Sequence, residues 1–242
     1  MTKVGILGYY GRMGQAIAAE VAAHKECTLA GGAVLEINPQ FKNPDNTVIS
    51  EKVEEIMALS DVMIDFTFAV ATIGNIKLAT NNKKPMVVGT TGITPEALDA
   101  LKEAAKKIPV LYASNTSLSL AAMKKVTVLA AKLLADFDYD VAILDEHHNQ
   151  KKDAPSGTAK TLGEAVLQGN AGKKQPSYAA IRAGHIIGNH EVMFTGNGET
   201  IRIHHSVTDR AIFARGAVQA ALWLAKKPAG FYGMDDVLGF KA

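Results

Sequence analysis

Residues 143–162, ILDEHHNQKKDAPSGTAKTL, place three acids, two adjacent histidines and two adjacent lysines before a Pro-Ser-Gly-Thr turn. Asp145, Glu146, His147 and His148 are all potential metal ligands. Adjacent histidines on a strand, however, point to opposite faces and do not readily share one ion, so no metal is expected. A solvated surface turn is the ordinary setting for a lysine pair. The sequel argues for a third chemistry: Ser156, Gly157 and Thr158 open a helical pattern, where free backbone N–H groups and the positive end of the helix dipole hold a carboxylate. Cationic donors and an anion cradle within twelve residues suit a doubly negative small molecule gripped by its carboxylates while a neighbouring acid delivers a proton. Hydride addition to an imine or a conjugated double bond has that need.

A hydride requires a carrier, and the N-terminus supplies a candidate site for one. KVGIL runs into GYYGRMG, with glycines at 8, 11 and 14, and then into the amphipathic QAIAAEVAAH. Strand, glycine turn and helix in that order let a bare backbone approach a pyrophosphate whose charge rests on the amides of the helix start. The spacing is Gly-x-x-Gly-x-x-Gly rather than the usual Gly-x-Gly-x-x-Gly, and an ordinary tight turn is the alternative. Glu36, 22 residues beyond Gly14, stands where an acid accepts ribose hydroxyls. Ile37 brings no charge for a 2′-phosphate, whereas Lys42 or Arg12 would, so NADH and NADPH both stay open. GTTG (89–92) and ASNTS (113–117) follow two further strand-like runs and are placed to line the nicotinamide end of the cleft. Part of the first has a plain structural use, with Thr94 as an N-cap and Pro95 at the first helical position.

These residues need a scaffold. TLAGGAVLE, VMIDF, PMVVG and PVLYA read as buried strands separated by helical stretches such as TPEALDALKEAAKK, which predicts a doubly wound parallel sheet. From about residue 117 the texture changes. A long helical pattern, SLSLAAMKKVTVLAAKLLADF, precedes YDVAILDE, and the alternating runs YAAIRAG, HEVMFTG and TIRIHHSV predict a mixed or mostly antiparallel open sheet. RGAVQAALWLAKK is again amphipathic. The expected domains are 1–116 completed by 213–242, for the dinucleotide, and 117–212, for substrate binding and oligomerisation. Six of the seven histidines fall in the latter.

Composition narrows the partners. Lys plus Arg (26) nearly balances Asp plus Glu (24), and the basic residues form no stripe, which argues against nucleic acid or a membrane surface. One cysteine, Cys27, excludes an internal disulfide. No secretory signal precedes KVGIL and no apolar run reaches the length of a membrane span, so the expected location is the cytoplasm.

E-H-H-x-x-K-x-D-A-P-S-G-T-A, with G-x-x-G-R-M-G, G-T-T-G and the late R-x-x-F-A-x-G-A-V-x-A-A-L-W-L, resembles the 4-hydroxy-tetrahydrodipicolinate (dihydrodipicolinate) reductase family from residue 3 to about residue 225. The resemblance implies reduction of a cyclic dicarboxylate with NADH or NADPH in the diaminopimelate branch of lysine biosynthesis. It implies a homotetramer, and a Rossmann-type domain joined to a substrate domain whose open sheet makes the subunit contacts. Carried over by position, His147 matches the family's proton donor or acceptor and Lys151 its catalytic proton donor. His148, Gly157 and Thr158 match substrate-carboxylate contacts. Gly8, Tyr9, Tyr10, Gly11, Arg12, Met13, Glu36, Gly89, Thr90, Thr91, Ala113, Ser114, Asn115 and Thr116 match cofactor contacts. Two positions depart from the pattern: Ser114-Asn115-Thr116 replaces the usual P-N-F, and Ile37 stands where arginine often follows the acid. Both touch the cofactor and neither touches the acid–base motif. Two other readings are another NAD(P)-dependent dicarboxylate dehydrogenase, such as an aspartate dehydrogenase, and a non-catalytic dinucleotide sensor. The first should lack the complete histidine-lysine string, and the second has no use for Lys151.

Overall fold

A computed structural model describes residues 1–41, 43 and 47–239. The chain divides into two compact units, Met1–Ser117 with Ala211–Ala242, and Leu118–Arg210. The first unit begins β1 (Thr2–Leu7), α1 (Arg12–Ala23), β2 (Cys27–Ala33), β3 (Ile49–Ser50), α2 (Val53–Leu59), β4 (Val62–Asp65), α3 (Thr72–Asn81), β5 (Met86–Val88), α4 (Pro95–Ala104) and β6 (Pro109–Tyr112). The second unit contains α5 (Leu118–Leu133), β7 (Asp140–His147), α6 (Gly157–Gly169), β8 (Ser177–Arg182), β9 (Gly188–Gly196) and β10 (Glu199–Val207). The chain then returns to the first unit as α7 (Ala211–Leu224), β11 (Gly230–Tyr232) and α8 (Met234–Val237).

All seven strands of the first sheet are parallel, in the order β11-β6-β5-β4-β1-β2-β3. Such a sheet is covered on both faces, which is why β4 and β5 are buried at every residue instead of alternating. Leu7, Ile56, Met63, Met86, Leu101 and Val110 form one of its apolar layers. The strand order reverses direction between β1 and β4, and in open parallel sheets that crevice at the carboxyl ends is where ligands bind. The N-cap expected at Thr94 is present: its Oγ1 accepts from Ala97 N at 3.2 Å, with Pro95 in the first turn. The strand expected over TLAGGAVLE ends at Ala33, so Glu36 lies in the following loop.

The second sheet runs β10-β9-β7-β8, antiparallel except for the β7–β8 pair. Strand β7 is buried at every second residue, and β9 shows the same alternation. One face of the sheet therefore packs against α5 and α6 through Val141, Ile143, Val192 and Phe194, which meet Leu162, Val166 and Ala131. Asp145, His147 and His190 continue that same face toward the carboxyl end of β7, because Asp145 pairs with His190 just as Ile143 pairs with Val192. The polar cluster is thus an extension of the apolar core. Among the described residues no helix is long and apolar enough to cross a membrane.

Candidate active site

In the first unit the glycine turn is built for a close approach by a ligand. Gly8 adopts φ +79°, and a Cβ there would lie 3.0 Å from Phe66 O. A Cβ on Gly14 would lie only 2.3 Å from Gly8 O. Helix α1 starts at this turn with Gly11 as N-cap and no side chain bonded to its open amides, the arrangement that receives a phosphate. A cavity of about 770 Å³ is lined by Gly8, Tyr10, Gly11, Arg12, Met13 and Glu36 among others. A second, of about 330 Å³, is lined by Met13, Gly89, Thr90, Thr91, Ser114, Asn115 and Thr116. Phe66 and Thr67 line both. A bare-backbone cradle beside cavities of this size fits a dinucleotide.

Several expected positions serve differently from one another. The Tyr9 side chain is fully buried, so only its backbone is part of the turn, and its carbonyl accepts from Gln15 Nε2 at 2.8 Å. Ala113 continues the strand ladder, N–H to Val88 O at 3.0 Å. The Thr116 hydroxyl donates to Phe213 O at 2.7 Å, which ties this loop to α7. Ile37 is exposed and its N–H donates to Glu51 Oε1 at 2.9 Å. Lys42 lies outside the described residues. Sequence reasoning missed Glu51, Phe66 and Thr67, all lining residues. It also missed the buried network beneath them, in which Asp65 accepts from Thr67 N, Thr67 Oγ1 and Asn75 Nδ2 at 2.9, 2.6 and 2.9 Å. The signal was an acid in the middle of the apolar run VMIDF.

In the second unit Asp145 organises the quoted motif. Its buried carboxylate accepts from Ser156 N and Ser156 Oγ, both at 2.8 Å, and from Arg182 Nη2 at 2.8 Å. His147 Nδ1 stands 3.0 Å from Oδ1, off the line of a hydrogen bond. His190 Nε2 lies 3.3 Å from both Oδ1 and Ser156 Oγ. Arg182 also donates to Asp153 O at 2.7 Å, and Lys151 Nζ sits 2.8 Å from Asp153 Oδ1. His148, half-buried just past β7, accepts the Lys151 N–H on its carbonyl at 3.1 Å.

Ser156 caps α6, its hydroxyl accepting from Ala159 N at 3.2 Å. The amides of Gly157 and Thr158, in the first turn, are left without an acceptor among the described residues. A Cβ at Gly157 would meet open space, so solvent or a ligand reaches this turn freely. The structure therefore ties both halves of the motif, the histidine end and the helix start, to one carboxylate.

The electrostatics follow from burial. Burial alone would raise the Asp145 carboxyl, but the hydrogen bonds from Arg182 and Ser156, with His147 nearby, outweigh it and hold it below the ordinary aspartate range. Burial pushes the His147 imidazole below its ordinary value; Asp145 opposes that, while Lys151 and Arg182 reinforce it. Burial also lowers His190, to about 4, against the pull of Asp145. Both rings are thus mainly neutral at pH 7. The ligand atoms of Asp145, His147 and His190 lie within 4.8 Å of one another, close enough for a cation. Arg182 already neutralises this carboxylate, so the cluster has the character of a hydrogen-bonded hub.

A glycine cradle at the switch point of a parallel sheet, with a second unit carrying neutral imidazole, ammonium and open amides, fits a dinucleotide-dependent oxidoreductase. The chain belongs to the dihydrodipicolinate reductase family: residues 2–116 match the family's N-terminal domain and residues 119–238 its C-terminal domain. It is 40% identical over 255 residues to 4-hydroxy-tetrahydrodipicolinate reductase of Zymomonas mobilis, covering 98% of this chain and 97% of that one. It is 39% identical to the enzyme of the same name from Methanoregula boonei, covering 100% and 99%. Among solved structures, the dipicolinate-bound dihydrodipicolinate reductase from Paenisporosarcina sp. TG-14 matches with a TM-score of 0.83 and 25% identity, over 98% of this chain and 99% of that one. The chain is accordingly an NAD(P)H-dependent oxidoreductase.

Proposed function

We propose that the chain reduces 4-hydroxy-tetrahydrodipicolinate (dihydrodipicolinate) to tetrahydrodipicolinate in the diaminopimelate branch of lysine biosynthesis, with NADH or NADPH as reductant. The observation that carries this reading is the Asp145 hub, which binds the His147 end of β7 and the Ser156 start of α6 to the same carboxylate. The dinucleotide, when bound, supplies the hydride. Gly8 to Met13, Glu36, Gly89 to Thr91 and Ala113 to Thr116 hold it, Tyr9, Ala113 and Thr116 through backbone or local support.

The amides of Gly157 and Thr158, with His148, grip one carboxylate of the ring. Lys151 and His147 face the other end. Loss of the 4-hydroxyl as water turns 4-hydroxy-tetrahydrodipicolinate into the conjugated dihydrodipicolinate. Hydride addition at one carbon of its conjugated double bond then leaves an electron pair at the neighbouring carbon, and a proton must meet that pair. Lys151, an ammonium with three donor hydrogens, delivers it. His147, mainly neutral and steadied by Asp145, orients the ring and is the alternative donor. The homotetramer and the cytoplasmic location belong to this reading as well, supported by family membership. Leu144, Ile181 and Met193 stand on the face of the second sheet turned away from α5 and α6, as the strand alternation and register require.

The test couples the preceding synthase, which generates the unstable substrate in place, to oxidation of NADH and NADPH followed in parallel at 340 nm. Substrate-dependent oxidation of at least one is expected; oxidation of neither overturns the assignment.

A further inference from the structure

The 148–156 loop contains one carboxylate that the hub does not use. Asp145 is committed to Arg182 and Ser156. Glu146 accepts from Asn189 Nδ2 at 3.0 Å. Asp153 instead turns its carboxylate to Lys151, Oδ1 to Nζ 2.8 Å, with the Asp153 side chain 56% exposed and that of Lys151 only 24% exposed. Both residues are fixed at the backbone, Asp153 through its carbonyl to Arg182 and Lys151 through its N–H to His148 O. Their pairing is therefore made by side-chain ends alone, on a loop whose backbone is held.

The pairing has a physical reason. The positive charges of Lys151 and Arg182 are both felt at His147, and both are felt at Asp153 as well, so the Asp153 carboxylate lies where it offsets them. Asp153, the partner with the most solvent, gives up least when it turns away. A ligand carboxylate arriving at Lys151 presents the same chemical group in the same role.

We infer that Asp153 is a resident counter-ion that parks Lys151 until a dicarboxylate displaces it, which makes Asp153 a determinant of substrate affinity. The inference rests on Lys151 facing the substrate, as proposed above. Removing the Asp153 charge then strengthens dianion binding twice over: Lys151 no longer has a competing partner, and the ligand no longer meets a negative charge beside its site.

Calorimetric titration with dipicolinate tests this on the full chain, comparing wild type with Asp153→Asn, Asp153→Glu and Lys151→Ala. Asp153→Asn is expected to bind dipicolinate about three- to tenfold more tightly, the scale of a partly exposed ion pair acting on a doubly charged ligand. Asp153→Glu, which keeps the charge, is expected to stay near wild type. Unchanged or weaker binding by Asp153→Asn overturns the inference, and so does equal tightening by Asp153→Glu. If Lys151→Ala weakens binding while Asp153→Asn has no effect, only the counter-ion inference falls. If wild type itself does not bind dipicolinate, the substrate-site reading fails and takes the inference with it.

Discussion

In the function proposed above, the glycine turn of the first unit and the Asp145 hub of the second both serve an anionic ligand, and they are built by opposite means. The turn is made of backbone: Gly8 at positive φ, Gly14 with no room for a Cβ, and a helix start with no capping side chain. Side chains nearby, such as Tyr9 and Thr116, are buried and serve packing or local bonds. The hub is made of side chains, and its charges are buried with their partners. A pyrophosphate only has to be held, which amides do well with no titration. A proton has to be moved, which needs titratable groups, and burying them requires that every charge be matched. On that reading Asp145 is surrounded by Arg182, Ser156, His147 and His190, whereas the buried Asp65 beside the glycine turn is held by Thr67 and Asn75.

Two substitutions break the comparison from either side. Lys151→Ala is expected to lower turnover by about 10²- to 10⁴-fold, the range for a positioned general acid, while NADH binding, read by fluorescence titration, stays nearly unchanged. Full turnover in that variant would remove Lys151 from the chemistry. Gly14→Ala is the converse. Its Cβ would stand 2.3 Å from Gly8 O and 2.6 Å from Tyr9 O, backbone atoms that cannot step aside as a flexible side chain does. An overpacking strain of about 1–3 kcal/mol is expected to weaken NADH binding roughly ten-fold or more, with dipicolinate affinity retained. Equal loss of both ligands would show that the variant disturbs the whole chain and not the cradle.

The two regions also differed in how much of them could be read in advance. The glycine turn is local: strand, turn and helix lie within one short segment, so its residues announced themselves by spacing. The parallel strands β1, β4, β5 and β6 were legible as apolar runs. Strands β3 and β11 were not, because a strand of two or three residues at a sheet edge is defined by register and not by composition. The hub is non-local. His190 reaches Asp145 because β9 pairs with β7 in the register Asp145–His190, and Arg182 reaches it because β8 pairs His147 with Arg182. Nothing in DEHHNQKK names either partner. The alternation in GNHEVMFTG did put His190 on the face of Val192 and Phe194, which was the available sign that this histidine is buried.

Buried neutral histidine gives the second unit an acid sensitivity. The folded-state value of His190, about 4, lies below the ordinary value of about 6.5 expected for an unfolded chain. On acidification the unfolded form therefore takes up the proton first. The stability is fully present above pH 6.5, erodes as the pH falls from 6.5 to 4, and levels off below. The loss is on the order of 3 kcal/mol. His147 and His205 are lowered too, chiefly by burial, and push in the same direction. His190→Asn is thus expected to flatten, without abolishing, the fall in melting temperature between pH 6.5 and 4. A slope equal to that of wild type would mean that His190 is not neutral in the folded protein.

The smallest expected effect is at Ser156, where the two building styles meet, since this side chain supports a backbone site. Its hydroxyl accepts from Ala159 N and donates to Asp145, while its own N–H also reaches Asp145. Ser156→Ala removes a helix cap and one hydrogen bond to Asp145, together at a cost of about 2 kcal/mol, and leaves the backbone bond to Asp145 and the amides of Gly157 and Thr158 in place. Melting temperature should fall, and turnover should fall far less than for Lys151→Ala. Should Ser156→Ala instead match Lys151→Ala in lost turnover at unchanged stability, the hydroxyl would itself be part of the chemistry, and the division between a side-chain hub and a backbone cradle would not hold in this unit.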